Sequence, residues 1–243
     1  MDKSTFYATL RKRKNPLFGD RISDRQIAGM EGIIKAFTDE VGEPDPDLRA
    51  KFLAYTLATA YHETARRMSP VRETLANSDE QAINRLERWA RQNGRTTNIY
   101  WRPEPPYGHA YFGRGQVQLT WKSNYEASSE DAGVDLVADP NKMLDPEISA
   151  RVMIRGLLDG RWNAHGVGLM TYLRREDLQG ARRTVNITDR WIEIAGHYAH
   201  FLDAIMTAGG APARSEPEPT RRPGFLRSLF DAIRGLRKGS SDG

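Results

Sequence analysis

Apolar residues recur at helical spacing in several separate stretches of this sequence, and this periodicity limits the chain to a mainly α-helical fold. Three stretches begin with residues that cap helices: Ser23 pairs with Gln26 and Ser78 with Gln81 in capping boxes, and Asp145 precedes a proline. The predicted helices span 24–41, 48–63, 79–92, 146–158, 176–183 and 189–206. In the last helix the spacing predicts a core-facing side of Ile192, Ala195, Ala199, Leu202 and Ile205.

The segment 93–111 interrupts this pattern, since it is rich in Gly, Pro, Tyr and Trp. Long segments without helix or strand pattern inside a compact domain are usually functional or disordered. The aromatic side chains favour an ordered surface loop. Residues 116–121 then form a short β-prone stretch, so we expect a helical domain with a long aromatic loop and a small β element.

Composition excludes several classes of function. The chain has no cysteine, which excludes disulfide scaffolds, thiolate metal sites and cysteine nucleophiles. No apolar run approaches the ~18 residues of a membrane span, and the first residues lack the apolar run of a secretory signal. The net charge is +4, but residues 208–243 carry seven basic and four acidic side chains, so the remainder is nearly neutral. A nearly neutral body argues against a nucleic-acid partner.

The charged tail divides the chain into three predicted parts. A catalytic domain spans 1–207, a Pro-rich flexible linker spans 208–223, and a basic amphipathic helix spans 224–238. One side of this helix is apolar and the other carries arginines, which suits an anionic membrane surface or lipopolysaccharide. The predicted membrane-binding residues are Phe225, Leu229, Arg227 and Arg234. The alternatives are a helix that docks on the body and a frayed tail.

Two glutamates near the end of the second helix are candidates for acid/base chemistry. Glu63 ends the helix and Glu73 follows ten residues later. Glycoside hydrolysis needs one carboxylic acid and one carboxylate in this kind of pair. We expect Glu63, on an otherwise apolar helix, to be desolvated and protonated, and Arg72 to keep Glu73 ionised. The alternative is that both are surface glutamates paired with the arginines between them.

The dipeptide His62-Glu63 also suggests zinc, but an HExxH motif requires histidine at position 66, which is Arg66. The other histidines are scattered along the sequence, so we expect neither a metal site nor a cofactor.

A second group of candidate residues follows the aromatic loop, in the segment 111–125. Gln118, Thr120 and Asn124 offer amide and hydroxyl groups that match sugar hydroxyls and N-acetyl groups. On a strand, Gln118 and Thr120 would point to the same side. The rings of Tyr107, Tyr111 and Trp121 are candidates for stacking on sugars. The alternative is a plain β-hairpin with buried aromatic residues, whereas a phosphate-binding loop is disfavoured because no Gly-Lys-Ser/Thr follows.

Together these segments resemble glycoside hydrolase family 19, especially its phage-endolysin and bacterial lysozyme-like branch. The resemblance covers roughly residues 20–206. The matching pieces are ATAYHETARRMSPVRE at 58–73, YFGRGQVQLTWKSNYE at 111–126 and RRTVNITDRWIEIAGHYAHF at 182–201.

The resemblance implies a lysozyme-like helical fold and assigns roles to residues. Glu63 becomes the general acid and Glu73 the general base, with Thr120 helping to hold the water. The implied substrate-binding residues are His62, Tyr111, Gln118, Trp121, Asn124 and Asn186. Ile187 stands where the family usually has glycine after the asparagine. The implied reaction is inverting, with carboxyl groups ~6.5–9.5 Å apart.

The family cleaves chitin or peptidoglycan, both of which contain β-1,4-linked N-acetylhexosamines. The lack of cysteine and of a secretory signal favours the phage branch, and thus cleavage of peptidoglycan between N-acetylmuramic acid and N-acetylglucosamine during host lysis. We expect a monomer made in the bacterial host cytoplasm that reaches the cell wall in the periplasm through a separate membrane-pore protein. The alternatives are a chitinase and a non-catalytic glycan-binding or membrane-binding relative.

Overall fold

The computed structural model describes residues 1–12, 17–163, 165–186 and 189–215, and most of them lie in helices, as predicted. The nine helices of the described part are α1 (Lys3–Leu10), α2 (Asp24–Glu40), α3 (Pro46–Glu63), α4 (Asp79–Gln92), α5 (Lys122–Ala132), α6 (Pro146–Asp159), α7 (Leu169–Leu173), α8 (Leu178–Arg182) and α9 (Trp191–Thr207). Two 3₁₀ turns span Glu73–Leu75 and Pro140–Leu144. No described helix is long and apolar enough to cross a membrane.

The predicted tail helix at 224–238 lies outside the described residues, as do Phe225, Leu229, Arg227 and Arg234 and the second half of the linker. The tail helix therefore stays a prediction. The first half of the predicted flexible linker is instead fixed on the body, because Arg49 donates to the Pro212 carbonyl and the Ser215 N–H donates to the Thr38 carbonyl.

The central element is α3, which is buried on all sides along most of its length. Asp45 caps its start by accepting hydrogen bonds from the backbone N–H groups of Asp47 and Leu48, and Pro46 occupies its first turn. A helix that is apolar all round belongs in a core, and α3 packs mainly against α9. The last two residues of this rigid helix are His62 and Glu63.

The face that α9 turns toward α3 differs from the prediction. Ile192 is 70% exposed and Ala199 is also exposed. The buried residues of α9 are Ile194, Tyr198, Phe201, Ala204 and Ile205. The helix is turned by about one residue because its large aromatic rings face α3: Tyr198 packs against Tyr55, and Phe201 against Tyr61.

A second, smaller core forms between α4 and the aromatic loop. It consists of Ala76, Ala82, Leu86, Ala90, Trp101, Ala110 and Phe112. Trp101 is fully buried, and its indole Nε1 donates a hydrogen bond to Glu87 Oε1 at 2.7 Å. The loop is therefore ordered, because it contributes the largest side chain of this core.

The β element is smaller than expected and lies earlier in the chain. Strand β1 (Val71–Arg72) pairs antiparallel with β2 (Arg114–Gly115), with Arg72 opposite Arg114. Residues 116–118 form a tight turn instead of the predicted strand, because Arg114 and Leu119 exchange two backbone hydrogen bonds across it. Gln118 and Thr120 therefore do not lie on a strand, contrary to the prediction.

The opposed arginines are held together by one carboxylate. Asp79, in the first turn of α4, accepts hydrogen bonds from Arg72 Nε at 2.7 Å and from Arg114 Nη2 at 2.8 Å. Arg114 is fully buried and also donates to the carbonyls of Ala110 and Phe112. Burial alone would raise the pKa of Asp79, but the two guanidinium groups outweigh it and lower the pKa.

We expect Asp79→Asn to lower the free energy of unfolding by about 3 kcal/mol, because it leaves the buried Arg114 charge uncompensated. The value is at the low end for a buried pair, since about a third of the Asp79 side chain is exposed. Because the folded pKa is lowered, the carboxylate stabilises the fold above its ordinary pKa of 3.8 and loses this effect as the pH falls below it. The difference between the two proteins should therefore shrink in acid.

Urea denaturation at several pH values measures this difference. Asp203→Asn, which changes an exposed carboxylate on α9, is the matched control and should stay within about 0.5 kcal/mol of the native chain. Equal stabilities of the Asp79 and Asp203 variants at neutral pH would contradict the assigned role of Asp79.

Candidate active site

One cleft of about 510 Å³ collects nearly all of the predicted site residues. The end of α3, the residues after β1, the turn after β2 and the start of α5 contribute to it. Its lining residues are His62, Glu63, Glu73, Arg95, Tyr100, Gly113, Val117, Gln118, Leu119, Thr120, Trp121, Asn124, Trp162, Val185 and Asn186. Two glutamates thus share a cleft with amides, a hydroxyl and aromatic rings.

Glu63 is held by a buried arginine. Arg182, at the end of α8, is 2% exposed, and its Nη1 donates a hydrogen bond to Glu63 Oε1 at 2.7 Å. The same guanidinium donates from Nε to the carbonyl of Asp189 at 3.0 Å. The ion pair therefore ties the end of α3 to α8 and to the segment before α9.

Glu73 is held by two donors, one on each carboxylate oxygen. The Tyr100 hydroxyl donates to Oε1 at 2.7 Å, and the Gly113 backbone N–H donates to Oε2 at 2.8 Å. Burial raises the pKa of Glu73 above its ordinary value, and these donors together with Arg95 and Arg114 partly oppose the rise. Glu73 is thus a partly buried carboxyl held in one orientation.

The expected environments of the two glutamates are corrected by these contacts. Arg72 does not face Glu73, because its guanidinium binds Asp79 and Asn141 instead. Burial raises the pKa of Glu73. Glu63, which was expected to be desolvated and protonated, forms an ion pair with Arg182 instead. Neither glutamate is bound to the arginines between them in the sequence, so the alternative of two surface ion pairs with those arginines is not met.

The three polar side chains predicted for the sugar cleft are fixed by backbone contacts. Gln118 Nε2 donates to the carbonyls of Val71 and Gly115 at 3.1 and 3.0 Å. Thr120 Oγ1 donates to the Gln118 carbonyl, and Asn124 Nδ2 donates to the Thr120 carbonyl, both at 2.8 Å. Gln118, Thr120 and Asn124 therefore line the cleft in fixed orientations, although they do not lie on a strand.

The aromatic candidates have separate positions. Trp121 lines the cleft, is 41% exposed and meets Tyr100 edge to face at 5.2 Å. Tyr107 is exposed, stacks on His109 and lies outside the lining of the cleft. The prediction for Tyr111 was wrong: it is fully buried, packs against Tyr125 and donates its hydroxyl to the Val137 carbonyl. A buried ring of this kind belongs to the core.

Sequence reasoning missed one supporting residue, Arg182, and several lining residues, which are Arg95, Tyr100, Gly113, Val117, Leu119, Trp162 and Val185. Arg95 and Tyr100 lie in the aromatic loop, whose composition had indicated a functional segment. Arg182 lies in a segment that carries the family resemblance, but nothing local marks its contact with Glu63, which is 119 residues away.

Strained backbone is concentrated around the cleft. Ten described residues other than glycine have positive φ, and seven of them follow Glu63 or Glu73 closely or line the cleft. These seven are Ala65, Arg66, Met68, Thr74, Leu75, Gln118 and Trp121. Left-handed backbone costs about 1–3 kcal/mol per residue and is typical of functional sites.

His62 lines the cleft together with Glu63, and its Nδ1 also faces α9. Its Nδ1 lies 3.8 Å from Glu193 Oε1, and His197 Nε2 lies 3.7 Å from the same oxygen. Burial lowers the pKa of His197. Imidazole and carboxylate groups are common metal ligands. The fold thus brings Glu193 and His197 next to His62, although no second ligand lies near His62 in the sequence.

Comparisons with known proteins agree with this architecture. The family sequence model for glycoside hydrolase family 19, described as chitinase class I, matches residues 27–157 of this chain. Endochitinase 1 of Theobroma cacao is 46% identical over 52 residues, which are 20% of this chain and 16% of that protein. Chitinase 4 of Oryza sativa subsp. japonica is 36% identical over 59 residues, 24% of this chain and 20% of that protein. This chain thus matches a fifth or less of the length of these relatives.

Two solved structures share the fold. Chitinase C from Streptomyces griseus HUT6037 superimposes with a TM-score of 0.50 at 16% identity, over 88% of this chain and 79% of that one. A bacterial family 19 chitinase gives a TM-score of 0.51 at 16% identity, over 88% and 97%. These similarities confirm the predicted lysozyme-like helical fold.

We expect Gly113→Ala to lower kcat about 10-fold without unfolding the chain. A Cβ at position 113 would lie 2.8 Å from Gln118 Oε1 and 3.3 Å from Glu73 Oε2, so both side chains must move. A contact of 3.3 Å requires Glu73 to move by a few tenths of an ångström. We expect this to cost less than the roughly 100-fold loss that a 1 Å displacement causes. The measurements are kcat on a soluble oligosaccharide and thermal unfolding by circular dichroism.

The control is Gly32→Ala on α2, where an added Cβ would meet nothing within 4 Å. This variant should keep native kcat. Native kcat in the Gly113 variant as well would show that the position of Glu73 does not depend on Gly113.

Proposed function

This chain belongs to glycoside hydrolase family 19, the class I chitinases, and we propose that it hydrolyses the β-1,4 bonds between N-acetylmuramic acid and N-acetylglucosamine in bacterial peptidoglycan. The observation that carries the proposal is the presence of Glu63 and Glu73 in one cleft with fixed amide and hydroxyl groups. The likeness of residues 58–73, 111–126 and 182–201 to phage endolysins favours peptidoglycan as the substrate.

In the proposed reaction Glu63 protonates the glycosidic oxygen as the bond to C1 breaks. Glu73 takes a proton from a water molecule whose oxygen attacks C1 from the opposite face, and Thr120 helps to hold this water. The products are two shortened glycan chains. Glu63 is then ionised and Glu73 protonated, and both glutamates exchange protons with solvent before the next cycle. The attack inverts the anomeric centre.

The contacts of both glutamates support these roles. When Glu63 loses its proton, Arg182 lies 2.7 Å away to stabilise the new carboxylate without further movement. Two donors fix the orientation of Glu73. Its raised pKa makes the Glu73 carboxylate a stronger base than an exposed glutamate, provided that the pH keeps it ionised.

Chitin is the second candidate substrate, because the relatives with matching sequence and fold are named as chitinases. Chitin offers the same β-1,4-linked N-acetylhexosamine backbone, so the same pair of glutamates would act on it.

For the peptidoglycan substrate we further propose the role of an endolysin in host lysis. In this role the chain is a monomer made in the host cytoplasm, and a separate pore protein gives it access to the wall. The predicted helix at 224–238 would bind an anionic membrane or lipopolysaccharide.

We expect mass spectrometry of purified peptidoglycan treated with the native chain to detect muropeptides ending in reducing N-acetylmuramic acid. Glu63→Gln, which has the same shape but cannot donate the proton, should reduce their yield by about 100- to 10,000-fold. Glu147→Gln, an exposed change in the first turn of α6, is the matched control and should keep native yield.

Chitin, treated in parallel, separates the two substrates. Fragments from chitin alone would replace the peptidoglycan proposal with the chitinase one. Fragments from neither substrate would contradict hydrolysis and leave a glycan-binding or membrane-binding relative.

We expect the acid limb of the pH profile of kcat/KM to lie above the ordinary glutamate pKa of 4.5, because Glu73 must be ionised and its pKa is raised. Removing the Tyr100 hydroxyl takes away a donor that lowers this pKa. In Tyr100→Phe the acid limb should therefore move to higher pH, so that activity falls more at pH 5 than at pH 7.

Tyr107→Phe, which removes an exposed hydroxyl outside the cleft, is the control for this profile. An acid limb in Tyr100→Phe that stays in place, or moves to lower pH, would contradict Glu73 as the base.

A further inference from the structure

Three metal-ligand side chains meet between the end of α3 and the start of α9. They are His62, Glu193 and His197, and their ligand atoms all lie within 4.8 Å of one another. From this geometry we propose that they bind one zinc ion at the rim of the cleft, between the end of α3 and the start of α9. The ion does not take part in the hydrolysis proposed above; it fastens α3 to α9.

The distances suit a single small cation. Zinc binds histidine nitrogen and carboxylate oxygen at about 2.0–2.2 Å, so neighbouring ligands of a tetrahedral site lie about 3.4 Å apart. Glu193 Oε1 lies 3.8 Å from His62 Nδ1 and 3.7 Å from His197 Nε2. Movements of less than about 1 Å bring the atoms to bonding geometry, which side-chain rotation supplies.

The donor set selects the kind of metal. Two imidazoles and one carboxylate form a three-ligand zinc site that leaves a fourth position for water. Magnesium and calcium ions prefer several oxygen ligands and therefore bind weakly to a site with two nitrogen ligands and one carboxylate. Among the divalent ions that accept imidazole, zinc tolerates a tetrahedral site with an open position.

The supporting elements hold the ligands in place. Glu193 and His197 are four residues apart on α9, so they share one face of the helix. Arg190 Nη1 binds Glu193 Oε2 at 3.2 Å, which leaves Oε1 directed to the two histidines. The ring of Tyr61 packs edge to face on His197 at 4.7 Å. This carboxylate has an orienting partner of the kind that metal ligands use.

The surrounding charges weaken the site without abolishing it. Arg190 lies beside Glu193, and Arg66 and His200 act on His197 through their charges. The Glu193 carboxylate provides the only negative charge among the three ligands. We therefore expect zinc to bind reversibly and to be removable by a chelator.

The test is isothermal titration calorimetry of the untagged full chain with zinc chloride after treatment with EDTA. We expect one zinc ion per chain, and a rise in Tm of about 5–10 °C when zinc exceeds its dissociation constant about 100-fold. Magnesium chloride should produce neither effect. The absence of one-to-one zinc binding to the native chain would overturn the proposal.

Variants identify the ligands. His197→Ala should weaken zinc binding more than about 100-fold, and Glu193→Gln, a change at a half-exposed position that leaves the fold intact, about 10- to 100-fold. His165→Ala removes an exposed histidine outside the group and should bind zinc like the native chain. Native zinc affinity in Glu193→Gln and His197→Ala, or a loss in His165→Ala equal to theirs, would overturn the assignment.

Discussion

The buried guanidinium of Arg114 is the interaction on which the cleft depends. It binds the carbonyls of Ala110 and Phe112 and the carboxylate of Asp79, so one side chain joins the aromatic loop, β2 and the start of α4. Gly113 lies between these anchored residues, and its N–H holds Glu73. A buried charge is costly unless it is fully paired, so the chain can fold here only with the loop closed around Arg114. The position of the proposed base follows from that closure.

A second buried arginine, Arg182, fixes the position of the other glutamate, Glu63. Arg182 ties Glu63 to α8 and to the carbonyl of Asp189, whereas Glu73 is tied to the aromatic loop and to Gly113, the residue before β2. The two glutamates therefore belong to different parts of the fold, and the cleft lies where these parts meet. The left-handed residues that follow each glutamate bend the chain sharply at this junction. Backbone strain at these bends is offset by the packing of the elements on either side.

The helices and most cleft residues could be predicted because their signals are local. Caps such as Ser23 with Gln26 and Asp145 with Pro146 act within one turn, and α2 and α6 begin as predicted. The short polar α5 (Lys122–Ala132) has no apolar stripe and was not predicted. The other structural predictions failed where contacts between residues distant in sequence determine the local structure. At 116–118, Gln116 donates hydrogen bonds to Ser149 Oγ and to the Met68 carbonyl, which hold the turn. The β-propensity of the individual residues does not take such contacts into account.

The environment of Glu63 and that of His62 illustrate the same limit at one helix end. Successive helical residues point about 100° apart, so these neighbours meet different elements: Glu63 meets Arg182 on α8, and His62 meets Glu193 and His197 on α9. The apolar sequence of α3 predicts that the side chains of His62 and Glu63 are buried. It does not predict which residues of α8 and α9 they contact. Two connections join the proposed zinc ligands to Glu63: the last turn of α3, and the chain of contacts from Glu193 through Arg190 and the Asp189 carbonyl to Arg182. The two sites therefore share both the end of α3 and the segment before α9, so the packing of α3 on α9 positions the groups of both.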